Sequence, residues 1–74
     1  MDQFSINVRK CLTAYNWTAR DLCSATGIYP ANMSRVLSGK EGITLVRAQV
    51  IADALEVPLS DLLSESFRIR QFVA

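Results

Sequence analysis

Apolar residues in the first fifteen positions recur at spacings of three and four. Phe4, Val8, Cys11, Leu12 and Tyr15 share one face of a 3.6-residue repeat, which predicts a helix over about 2–15 that ends at Asn16. Thr18, with Asp21 three residues on, reads as an N-cap in a shortened capping-box pattern. The second helix follows it to about Thr26 and is expected to bury Leu22, Cys23, Ala19 and Ala25. Gly27 stands where the chain needs a left-handed residue to leave that helix, and Ile28 anchors the turn from inside. Pro30 suits the first position of a third helix over about 30–37, with Met33, Val36 and Leu37 inward. A loop over 38–42 leads to Thr44, the predicted cap of a fourth helix over 45–55. Leu45, Ala48, Ile51, Ala52 and Leu55 are its expected core face, and Val46 and Val50 lie away from it. Val57-Pro58 breaks the chain before a short fifth helix over 59–64, whose Leu59, Leu62 and Leu63 are expected to complete the core. From Phe67 to Val73 the pattern changes to a period of two, which suggests an extended tail.

The expected fold class is therefore all-α: one domain of five helices over 1–66 and a short tail over 67–74, a dimerisation strand or a linker stub. The stretch 18–40 is the most informative part. Two short helices joined by so tight a turn cannot lie antiparallel and must cross steeply. That is the helix-turn-helix geometry, in which the second helix projects into the DNA major groove.

Composition narrows the function classes. With 74 residues the chain has a small core and modest stability. It has no histidine, the commonest general base and metal ligand, and no glycine-rich phosphate loop, so neither an enzyme nor a cofactor is expected. No apolar run is long enough to span a membrane and the first ten residues lack a hydrophobic signal core, so the expected location is the cytoplasm. Cys11 and Cys23 fall on apolar faces without CxxC spacing and read as reduced residues. Net charge is only +1, but positions 1–47 carry a net +3 and positions 48–66 a net −4. A basic front and an acidic back would orient the domain on a polyanion.

On the third helix, Arg35 is the strongest candidate for reading a base, because its fork matches the O6/N7 pair of guanine. Asn32 suits adenine, Ser34 suits a base or a phosphate, and Ala31 with Pro30 suits a thymine methyl. The start of the second helix, Thr18-Ala19-Arg20, offers backbone N–H groups and a positive dipole end to a phosphate. Arg20, Lys40 and Tyr29 are the other candidate backbone contacts, and they would supply affinity rather than specificity. Val46 and Val50, with Phe67, Ile69, Phe72 and Val73 of the tail, make more apolar surface than the core requires and are the candidate dimer interface.

The run from Leu22 to Lys40 resembles the helix-turn-helix of the Cro/C1-type (lambda repressor-like, XRE) regulators. It carries Leu22, the Gly27-Ile28 turn, Met33-Ser34-Arg35-Val36 and Gly39-Lys40 at that family's spacing. The segment from Ile51 to Leu63 resembles the helix 4–helix 5 signature that follows in those proteins. The resemblance spans about 4–63 and implies a five-helix DNA-binding domain acting as a dimer on an inverted-repeat operator. The chain departs from the pattern at Ala19, where many members carry a glutamine that touches phosphate and buttresses the recognition helix. It departs again at Cys23, in place of a usual alanine, and at Tyr29-Pro30, in place of a more polar start. The resemblance thus implies a phage or bacterial repressor with double-stranded DNA as its partner. Two alternatives stay open: an antitoxin or restriction–modification controller on the same fold, and a helical protein–protein module without DNA binding. No small-molecule ligand is implied.

Overall fold

The computed structural model describes residues 3–39 and 43–65. Helix α1 (Gln3–Tyr15) buries Phe4, Val8, Cys11 and Leu12, the stripe expected from their spacing. It ends at Asn16, whose φ of 58° is left-handed and turns the chain so that Trp17 N–H bonds back to the Leu12 carbonyl at 2.8 Å. Asparagine tolerates this conformation better than most non-glycine residues. Helices α2 (Ala19–Thr26), α3 (Pro30–Ser38), α4 (Leu45–Leu55) and α5 (Leu59–Leu62) follow. Helix α1 packs on α3 and α5, α2 packs on α3 and α4, and α4 packs on α5.

One core joins all five. Leu22, Met33, Ile51, Leu55 and Leu62 are its largest fully buried side chains. Tyr15, Trp17, Ile28, Ile43 and Leu59 close over it from the sides. Two polar side chains, Ser5 and Asn7, are fully buried with it. Asn7 Nδ2 donates to the carbonyls of Leu62 and Ser64, each at 2.8 Å, and more loosely to Asp61 at 3.4 Å. Its side-chain oxygen accepts from Gln3 Nε2 at 3.1 Å. Asn7 thus supplies donors for the carbonyl groups that the four-residue α5 cannot satisfy within itself.

Several expected core positions lie outside. Ala25 is exposed, because the inward stripe of α2 runs through Leu22, Cys23 and Thr26, and at 100° per residue Ala25 lies on the far side of Leu22. Ala19 is also exposed, at the open start of the helix. Leu45 is 73 % exposed, since burial on α4 begins a turn later, at Ala48. Leu63 is 56 % exposed, since α5 stops at Leu62 rather than running to position 64. Cys23 is half-buried, and both cysteines are free thiols. No helix among the described residues is long and apolar enough to cross a membrane. Lys40 and the tail residues Phe67, Ile69, Phe72 and Val73 lie outside the described residues.

Candidate nucleic-acid interface

The turn between α2 and α3 is held by the residues that enter it. Gly27, at φ 75°, sends its N–H back to the Cys23 carbonyl at 2.8 Å. Thr26 Oγ1 donates to the Leu22 carbonyl at 2.8 Å and accepts from Ile28 N–H at 3.3 Å. A side chain at Gly27 would meet no neighbour, so only the left-handed backbone calls for glycine there. Ile28 is half-buried against the core and fixes the turn from beneath.

Helix α2 begins with the full capping box. Thr18 Oγ1 accepts from Asp21 N–H at 3.2 Å, and Thr18 N–H donates to Asp21 Oδ2 at 2.7 Å. This corrects one part of the sequence reading: the Thr18 N–H is committed to Asp21 and is not open to a phosphate. The hydroxyl hydrogen of Thr18 and the first-turn N–H groups of Ala19 and Arg20 remain. Thr18, Ala19 and Arg20 are all exposed.

Helix α3 begins differently. Tyr29 holds the N-cap position in extended backbone but makes no side-chain cap hydrogen bond, and Pro30 is the first helical residue. The first-turn N–H groups of Ala31 and Asn32 therefore point out of the helix end without an intrahelical acceptor. Tyr29 is 77 % exposed beside them. Met33, Val36 and Leu37 are buried beneath the helix. Ala31, Ser34 and Arg35 are exposed, and Asn32 is half-buried, at the edge of the outward face rather than its centre.

Three carbonyls of the last turn of α3 have donors. Gly39, at φ 69°, donates to the Val36 carbonyl at 3.2 Å, and Ser38 Oγ donates to the Arg35 carbonyl at 2.9 Å. Arg9 reaches across from α1, and its Nε donates to the Leu37 carbonyl at 2.8 Å. Arg9 was not among the residues singled out from the sequence. On α1 it is one exposed base next to another, Lys10, and only the fold brings it to the end of α3.

A cleft of about 400 Å³ opens between α1, α2 and α3, with Arg9, Arg20 and Cys23 on one side and Pro30, Ser34 and Ser38 on the other. Ala19 lines it too, with only a methyl group. The cleft thus joins two cations and two hydroxyls to the outward face of α3. Val46 and Val50 lie elsewhere, on the exposed side of α4 and outside this face.

Comparison with curated proteins and with solved structures gives no match. Residues 7–65 match the family model of the Cro/C1-type HTH DNA-binding domain, a span that takes in most of α1 and all of α2 to α5. The five helices, with no strand among the described residues, are consistent with that match. The chain belongs to the family of Cro/C1-type helix-turn-helix DNA-binding domains.

Proposed function

We propose that this chain is a transcriptional repressor that binds an inverted-repeat operator as a dimer, with α3 as the recognition helix. The observation that supports this reading is the division of α3. Its apolar residues Met33, Val36 and Leu37 are spent on the core, three carbonyls of its last turn have donors, its first turn has no side-chain cap, and Ala31, Ser34 and Arg35 are exposed. Arg35 reads a guanine edge, with Asn32, Ser34 and Ala31 as lesser base contacts. Thr18, Arg20, Tyr29 and Lys40 hold the phosphate backbone on either side. The protein acts in the cytoplasm, where its DNA is.

The dimer is read from apolar surface. Val46, at 77 % exposed, and Val50 lie outward on one side of α4. Phe67, Ile69 and Phe72 of the tail supply the rest of the proposed interface. Two copies place two recognition helices about 34 Å apart on one face of the duplex, a helical turn of DNA.

Selection of bound duplexes from a random pool tests the reading. The expected result is a two-fold motif with fixed half-site spacing and binding that weakens steeply with salt. A pool without enrichment, or binding indifferent to salt, would favour a protein–protein module. A single half-site together with a monomeric mass at tens of micromolar would remove the dimer.

A further inference from the structure

We infer that Arg9, on α1, is a positioning residue for the recognition helix, holding the last turn of α3 so that its outward side chains meet the groove at a fixed pitch. The inference rests on the proposed role of α3 and adds to it a residue outside the helix-turn-helix. Four carbonyl groups at a helix C-terminus lack intrahelical donors. At the end of α3 two of them are met locally, by Gly39 and Ser38, and a third, that of Leu37, is met by Arg9 from 28 positions away in the chain. The positive guanidinium also sits at the negative end of the helix dipole.

The other end of α3 has no comparable hold. Its N-cap makes no side-chain bond, and across the cleft Ala19 offers only a methyl group. A helix of nine residues, open at its start, takes its tilt from its core residues and from whatever fixes its far end. Among the described residues, Arg9 is the group from outside the motif that does so by a hydrogen bond. Being exposed, it does this without being part of the core.

Three variants separate the donor from the charge. In Arg9→Gln the amide nitrogen stands as many bonds from Cα as Nε does, so the donor is kept and the charge lost. Arg9→Lys keeps the charge on a stem with no N–H at that position, and Arg9→Met removes both. Amide hydrogen exchange of the free, full chain is read at Ser38 and Gly39, with Ala52 on α4 as an internal control. A hydrogen bond from a charged donor is worth about 1.5–3 kcal/mol and from a neutral one about 0.5–1.5, so exchange at the end of α3 should quicken roughly tenfold or more in Arg9→Met and clearly less in Arg9→Gln.

The same variants are then bound to the selected duplex and to a random one. The ratio of the two affinities should fall in Arg9→Met and be recovered in large part in Arg9→Gln. Unchanged exchange in Arg9→Met would overturn the tether. A ratio that follows charge, kept in Arg9→Lys and lost in Arg9→Gln, would make Arg9 a phosphate contact and overturn the positioning role. The exchange measurement needs no DNA. A wild-type chain without sequence preference would therefore count against α3 as a reader while the tether is judged separately.

Discussion

Helices α2 and α3 leave the chain alike and enter it differently. Each runs out through a left-handed glycine, Gly27 at φ 75° and Gly39 at φ 69°. At the start, α2 satisfies itself through the reciprocal Thr18–Asp21 pair, whereas α3 opens at Tyr29-Pro30 with no side-chain cap. A cap is a cheap way to stabilise a short helix, so its absence on α3 leaves N–H groups for something other than the fold. The comparison teaches where the domain keeps its unsatisfied valence. Each helix keeps two first-turn N–H groups open, those of Ala19 and Arg20 on α2 and of Ala31 and Asn32 on α3, but only α2 adds a side-chain cap at its third position.

The most severe way to break this comparison is to remove what both helices rest on. Leu22 is fully buried where α2 meets the core, and Leu22→Ala should cost about 2–5 kcal/mol, read by urea denaturation. Both helices should then unfold together in one transition. A change on the face of α3 alone should spare the fold: Arg35→Ala should leave the urea midpoint near wild type and weaken binding to the selected duplex by about 1–3 kcal/mol, read by fluorescence anisotropy. Equal loss on selected and random duplexes would move Arg35 from the readers to the backbone contacts.

The two N-termini can be exchanged in character. Thr18→Ala opens the capping box and should cost about 1 kcal/mol of stability, read by thermal denaturation. Tyr29→Ser should give α3 a cap and raise stability by several tenths of a kcal/mol to about 1, while weakening DNA binding because a first-turn N–H is now used. A stabilised Tyr29→Ser variant with undiminished binding would show that the open turn is not what DNA uses.

The smallest effect at neutral pH lies on α1. Burial pushes the Cys11 thiol up to about 11 from 9.0, and burial, then the nearby Cys11 and Glu56, also raises the Tyr15 hydroxyl from 10.0. Both groups are neutral at pH 7 in the folded and unfolded chain, so neither alters stability there. Above about pH 9 the unfolded chain ionises first. It then binds fewer protons than the folded chain, and stability falls as pH rises toward 11. Urea midpoints at stepped alkaline pH should show this decline, and Cys11→Ala should lessen it.

The helices and most of the core were legible because they depend on local spacing. Phe4, Val8, Cys11 and Leu12 each entered the core as their periodicity requires, and Gly27 and Thr18 took the roles their chemistry suits. What periodicity could not give was where each stripe stops. Leu45 and Leu63 continue the apolar pattern in sequence, yet each lies past the turn at which a neighbouring helix gives cover. Glu56 takes a left-handed φ of 59° at the end of α4, a position where sequence offered no glycine to mark it. The outward face of α3 followed from the inward one, as its complement. Arg9 did not, because its partner is a carbonyl on a distant helix, and a carbonyl leaves no trace in a sequence.

Asn7 carries a consequence for the order of assembly. Its amide spans 54 to 57 positions to reach the end of α5, so these bonds cannot form until the intervening chain has been brought together. Helix α1 and the α2–α3 pair can come together through nearer contacts before that loop closes. The amide of Asn7 thus acts as a latch that is set last and holds the finished domain shut. Its loss should appear as faster unfolding with little change in the rate of folding, read from the two arms of a stopped-flow denaturant series.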